Sequence, residues 1–431
     1  MQHEVSEHEL AGGARLLFIR IPNTITFYWG SYFRAGYRFV NKIQDYELPH
    51  LAEHLAFEGT KQYPDDIKFK VEVERDGAYY NATTGFNLVK YYFEGGRDEL
   101  RRIISLNMSQ IYEPLLRPND MAQEKQVITR ELGQKKENDN IQARYVGYNT
   151  IIPKMNPDIS QRIEWLQGVS LDDMKRYRRE FYGTANTMFL LAGDYSDAEL
   201  AGIIAHINDE LVGKPKGSLR PVVPAKIGDF GGKIITPRPF RDNQSIFYLT
   251  FVHAGRDLVH EPALSILDAL CTGGLSGRVH DKARKAGLAY GVGSGFEVDS
   301  DTSEFYLGSQ TDIGQLEPLF ELVVRELAEI RAGNFDDSEL DWAKGYKIGR
   351  VRRGGQTPAD FADWYGNLAA LGLSNENPEE WVGKLRAVDR QAIMRATQKY
   401  LRHDVSLLSL VGKGLEQNHT AYQGILSKYL A

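Results

Sequence analysis

Five consecutive residues, His50-Leu51-Ala52-Glu53-His54, carry the chemistry this chain is best equipped to do. On a helix, His50 and His54 lie four apart on one face, so both imidazoles can reach a single metal ion. Glu53 stands beside them, close enough to handle a metal-held water. Pro49, just before, is accepted at a first helical position. Two histidines for a metal and a carboxylate for a proton together point to metal-assisted hydrolysis. The competing reading is an amphipathic helix with three solvated polar residues, and the surroundings of the pentad decide between the two.

A catalytic zinc site takes three protein ligands and leaves a fourth position open for water. Glu124 and Glu131 are candidates for the third ligand, because seven residues place them two turns apart on one helical face. One can ligate while the other orients a histidine from behind. Alone, the two would read as exposed glutamates on a charged helix.

The elements that must position these groups fall into two similar halves. Glycines and prolines cluster at 213–224 and divide the 431 residues almost equally. We therefore expect a metal-binding half over 1–213, a linker over 214–230 and a second half over 231–431. Residues 27–36 and 247–255 read as strands ending in a turn. A helical stretch follows each, at 48–57 and 262–270. Residues 124–131 and 339–346 share a helical pattern, and apolar strands at 187–193 and 405–412 come late in each half. The common order predicts two α+β domains of one ancestry. The second copy lacks the ligands: 264–270 is apolar where the pentad would stand, and Tyr346 takes the place of Glu131. The expected fold is thus two homologous, sandwich-like halves closing as a clamshell around a chamber that admits short or unfolded substrates.

The net charge of -6 speaks against a nucleic-acid partner, which would favour a basic chain. The single cysteine, Cys271, excludes an internal disulfide framework and a cysteine-rich zinc site. A reducing, cytoplasmic compartment is expected, although a disulfide-free periplasmic or organelle-matrix protein would read the same way. Residues 1–5 are polar and acidic, so no signal peptide is expected. No stretch has the length of a membrane span, so no membrane partner is expected either.

Residues 50–60, H-L-A-E-H-L-A-F-E-G-T, resemble the active-site segment of the pitrilysin/insulinase-type zinc metallopeptidases, the inverzincins. In that family the third ligand follows the second histidine after 76 intervening residues, and 76 residues lie between His54 and Glu131 (131 − 54 − 1). The resemblance implies Zn²⁺ held by His50, His54 and Glu131, with Glu124 as the supporting carboxylate and Glu53 as the catalytic base. It covers nearly the whole chain, including Leu191-Ala192-Gly193-Asp194 and Asn81-Ala82-Thr83-Thr84. The size is similar to the mitochondrial-processing-peptidase-like branch, whose members pair as homodimers or heterodimers of such subunits, so a similar partner subunit is expected.

The resemblance also places Asn81 and Ala82 on an edge strand that aligns an extended peptide by strand addition. From the residues alone this segment is equally an ordinary strand. In the second half the family carries an Arg and a Tyr in a Gly-Leu-x-Tyr setting, which bind substrate and steady the transition state. Gly287-Leu288-Ala289-Tyr290 matches that setting. Arg284 lies six residues before Tyr290, one fewer than the family spacing, and strict register falls on Ala283. Either Arg284 still serves with Tyr290, or a partner subunit completes the pair. His253 and His280 lack companions at ligand spacing, and Cys271 reads as a packed thiol. The expected function is a zinc-dependent endopeptidase acting on peptides or extended protein segments. The alternative is a non-catalytic or partner-dependent peptide-binding subunit.

Overall fold

Two mixed sheets carry the chain, and each belongs to its own compact unit. In this computed structural model residues 2–431 are described, apart from 154, 240–242 and 375. The class is α+β, as the pattern of strands and helices predicts. No described helix is long and apolar enough to cross a membrane.

The first unit comprises residues 1–132, 158–222 and 354–376. Its strands are β1 (Glu4–Glu9), β2 (Arg15–Arg20), β3 (Thr26–Phe33), β4 (Tyr79–Thr84), β5 (Val89–Gly96) and β6 (Thr187–Gly193). Their order is β1-β2-β6-β3-β5-β4. β6 is buried along its whole length because helices cover both faces, which explains its unbroken apolar run. On one face, Trp29 and Ser31 of β3 donate to Asn107 of the helix Leu100–Tyr112. On the other, Tyr28, Tyr32 and Leu190 pack with Phe361, Ala362 and Tyr365 of the helix Pro358–Ala370. Gly366 permits this close approach: a Cβ there would lie 2.6 Å from the Tyr32 hydroxyl. β4 ends the sheet, so Asn81 and Ala82 do lie on an edge strand.

The second unit comprises residues 133–157, 223–353 and 377–431. β7 (Lys233–Ile235), β8 (Gln244–Ala254), β9 (Gly293–Val298), β10 (Thr302–Asp312) and β11 (Ser406–Val411) run in the order β7-β11-β8-β10-β9. Only the β7/β11 pair is parallel, just as β2/β6 is the parallel pair in the series β2-β6-β3-β5-β4. The repeat read from the sequence is therefore a repeat of sheet topology. Phe247, Phe251, Phe305 and Leu307 face the helices Glu261–Thr272 and Leu316–Arg331 through Leu264, Leu267, Phe320 and Val323. The opposite face meets Ala143 of the helix Asp139–Ile151 through Ile246 and Val411.

The units do not follow the order of the chain. Asp139–Ile151 belongs to the second unit and Pro358–Ala370 to the first. Each follows a long helix at the equivalent place, Pro118–Lys136 and Asp337–Arg353, so the exchange is reciprocal. Each sheet has a second apolar face that needs a cover. Periodicity marks a helix as amphipathic without naming the sheet it will cover. Residues 214–230 form neither helix nor strand.

The exchanged helix Asp139–Ile151 holds Arg144 over the rings of Tyr148, Tyr248 and Tyr306, at 5.5, 5.8 and 5.2 Å. Beside them the buried Glu304 accepts from the Tyr148 hydroxyl. Burial, with the charge of Glu297, pushes the Glu304 carboxyl up from 4.5 to about 7, against the opposing pull of Tyr148 and Arg144. The folded chain therefore keeps a proton that the unfolded chain has released. Stability from this group falls as pH rises from 4.5 to about 7, by roughly 3 kcal/mol. Glu304→Gln stays neutral throughout. Relative to the wild type, its unfolding midpoint should rise steadily as pH goes from about 4 to about 7.5. A constant difference between the two proteins across that range would show that Glu304 titrates as an ordinary carboxylate.

Candidate metal centre

The helix Leu48–Leu55 begins with Pro49 in its first turn and buries Leu48, Leu51, Ala52 and Leu55. The Tyr91 hydroxyl of β5 reaches the Ala52 carbonyl at 3.5 Å and the Tyr182 hydroxyl at 3.0 Å, which ties the helix to the first sheet. One turn of helix then sets the two histidines edge to face, with ring centres 4.7 Å apart.

Three ligand atoms converge here. Nε2 of His50 and Nε2 of His54 are 3.2 Å apart, and Glu131 Oε2 lies 3.5 Å from the first and 4.0 Å from the second. Tetrahedral zinc with ligand bonds of about 2.1 Å spaces its donors about 3.4 Å apart, a value these distances bracket. Among the described residues this is the only group of three or more His, Cys, Asp or Glu so disposed.

The far ring nitrogens explain which tautomer each histidine takes. His54 Nδ1 lies 2.7 Å from Glu124 Oε2, and His50 Nδ1 lies 3.3 Å from Glu47 Oε2. A carboxylate at Nδ1 holds the proton there and leaves Nε2 bare as a ligand. The donor set therefore fits zinc. Glu131 faces both Nε2 atoms with its side chain 40% exposed, whereas Glu124 is buried behind His54. The helix Pro118–Lys136 turns Met121, Glu124, Ile128 and Leu132 inward, so Glu124 is a charge set in an apolar stripe. Burial opposes protonation of His54. The hydrogen bond to Glu124 and the charges of Glu131, Glu124 and Glu53 outweigh it and raise the imidazole above its ordinary 6.5.

Glu53 is fixed from the sheet edge: the Thr84 hydroxyl, at the end of β4, donates to its Oε2. On the same strand the Ala82 N–H donates to Asn81 Oδ1, and Asn81 Nδ2 donates to the Tyr79 hydroxyl, each at 2.8 Å. Glu53 and the edge strand are thus neighbours within one unit.

Glu47 is the residue that motif reading missed. It is fully buried, and it pairs with Arg162, which lies 115 positions away. Its one signal in the sequence is the spacing of three to His50, across the start of the helix.

Arg284 and Tyr290 meet in the second unit, whereas the metal group lies in the first. The helix Arg278–Lys285 turns Ala283 into the core and leaves Arg284 outside, 5.6 Å from the Tyr290 ring. Arg284, and not the buried Ala283, lies beside the Tyr290 ring. Tyr290 is 91% exposed and borders a cleft of about 560 Å³ lined also by Leu288, Gln310 and Asp312. His280 bonds the Val292 carbonyl at 3.2 Å, His253 packs against Tyr400, and Cys271 is buried with its thiol pushed well up by desolvation.

Two family models match the chain. One, described as insulinase (peptidase family M16), spans 44–151 and takes in the pentad and Glu131. The other, described as the peptidase M16 inactive domain, spans 168–345 and takes in Arg284 and Tyr290. An uncharacterized zinc protease of Rickettsia bellii is 22% identical over 398 residues, covering 90% of this chain and 94% of its own. Mitochondrial-processing peptidase subunit beta of Homo sapiens is 26% identical over 202 residues, 46% of this chain and 40% of its own. Among solved structures, a protease from Helicobacter pylori matches with a TM-score of 0.85 at 17% identity, covering 95% of this chain and all of its own. Pitrilysin matches with a TM-score of 0.73 at 16% identity, over all of this chain and 49% of its own.

Proposed function

The chain belongs to the M16 (insulinase/pitrilysin-like) peptidase family, and from that premise we propose that it is a zinc endopeptidase acting on peptides or extended protein segments. The observation that carries this reading is the convergence of His50 Nε2, His54 Nε2 and Glu131 Oε2, with a carboxylate behind each imidazole. When bound, zinc would lower the pKa of a water toward about 7 and polarise the scissile carbonyl. The Glu53 carboxylate takes the proton of the attacking water and passes it to the leaving amine nitrogen. Thr84 engages one Glu53 oxygen, so the other is available for the proton. The edge of β4 at Asn81 and Ala82 offers backbone groups to an extended substrate, which would displace the Asn81 side chain from the Ala82 N–H.

To Tyr290, with Arg284, we assign stabilisation of the charge that builds on the carbonyl oxygen. Tyr290→Phe removes only a hydroxyl from a ring that is 91% exposed, so folding should be untouched. A lost oxyanion donor should lower kcat by roughly 10²–10³-fold, and an unchanged kcat would remove Tyr290 from the mechanism.

The proposal is tested by hydrolysis of a mixed quenched-peptide library by the purified chain alone, with and without a chelator. Cleavage that the chelator stops supports it. A second reading, a subunit that needs a partner similar to itself, draws on the match of 168–345 to a domain described as inactive. Zinc retained without cleavage would favour that reading and direct the search to co-purifying chains.

A further inference from the structure

A buried ion pair stands directly behind the first histidine. Glu47 and Arg162 are both buried, and Arg162 Nε donates to Glu47 Oε1. Arg162 comes from the helix Ile159–Gly168, whose first turn is capped by Asp158. Its guanidinium lies 4.8 Å from the centre of the Tyr46 ring and 5.4 Å from that of Tyr37. Those two rings stack at 4.6 Å, nearly parallel. The remaining Glu47 oxygen lies 3.3 Å from His50 Nδ1. A buried pair of this kind gives little net stability compared with apolar residues of the same volume, so its place beside a metal ligand asks for another explanation.

We propose that Arg162 and Glu47 form a positioning pair for His50, in which the stacked tyrosines fix the guanidinium, the guanidinium fixes the carboxylate, and the carboxylate holds the His50 proton on Nδ1 so that Nε2 faces the metal. This rests on the zinc-peptidase reading of the same site. Arg162 also offsets the Glu47 charge, so His50 is aimed without adding net negative charge to a site that already holds Glu53, Glu124 and Glu131. Neither residue touches substrate.

The test uses the full chain and reads metal binding rather than turnover alone. Zinc affinity is measured by chelator competition, geometry by the visible spectrum of the Co²⁺-substituted protein, and folding by the melting curve without metal. Glu47→Ala should weaken zinc roughly 10–100-fold, as removal of a carboxylate behind a metal-bound histidine does elsewhere. Glu47→Gln, whose amide oxygen still accepts from Nδ1–H, should recover most of that loss. Because Glu47→Ala removes the carboxylate that Arg162 Nε donates to while the guanidinium keeps its charge, the double variant Glu47→Leu/Arg162→Met provides an apolar replacement of similar volume. It should keep the metal-free melting curve, bind zinc more weakly by the same 10–100-fold and shift the Co²⁺ spectrum. Wild-type affinity and spectrum in the double variant would overturn the pairing. A wild-type chain that binds no zinc would instead overturn the zinc reading on which it rests.

Discussion

Replacing Glu53 by Gln should lower peptide hydrolysis by roughly 10²–10⁴-fold, the usual contribution of a positioned general base, while zinc content stays at the wild-type value. Glutamine has the size of glutamate, and its amide oxygen can still accept from Thr84, so the side chain keeps its place at the end of β4. What it loses is the ability to take a proton from water and hand it to the amine. The distances among His50, His54 and Glu131 do not involve Glu53, so metal binding should be unaffected. Measuring kcat and bound zinc on the same sample separates the two effects. Activity within about tenfold of wild type would move the base elsewhere.

Glu131→Ala should have the opposite signature, losing zinc first and turnover as a consequence. Removing a carboxylate behind a metal-bound histidine costs roughly 10–100-fold in affinity, and removing a direct ligand should cost more than that. Glu131 suits the experiment because its side chain is 40% exposed, whereas Glu124 and His50 are buried. Exposed substitutions usually shift stability by less than about 0.5 kcal/mol, so the metal-free fold should survive. Chelator competition gives the affinity and metal-free melting gives the control. A variant that holds zinc as tightly as wild type would pass the ligand role to another carboxylate, with Glu124 the first to test.

The parts of this site that could be read from sequence are those where chemistry demands particular residues at a fixed helical spacing. His50 and His54 four apart, and Glu124 and Glu131 seven apart, needed one helix each to bring them into register. The buried strand β6 was legible because a strand covered on both faces becomes an unbroken apolar run. Residues 405–412 announced β11 through Leu407, Leu408, Leu410 and Val411, with bounds at Ser406–Val411. The pairing of Arg162 with Glu47 was not legible, since a contact across 115 positions leaves no local trace. Arg284 against Ala283 could have been resolved by periodicity. Val279 and Ala283, four apart, share the buried face of their helix, so Arg284 must turn outward. The exchange of Asp139–Ile151 and Pro358–Ala370 between the two units could not, because the residues they bury, such as Ala143, Gly147 and Ile151 in one and Phe361, Ala362 and Tyr365 in the other, do not specify which sheet they cover.

The measurement that bears most directly on the central claim is a zinc titration of the metal-free chain, recorded as hydrolysis of the quenched-peptide library. Activity should rise from background and break at about one zinc per chain, with the same binding and no rise in Glu53→Gln. Hydrolysis that is indifferent to zinc, or a chain that takes up none, would contradict a peptidase centred on His50, His54 and Glu131.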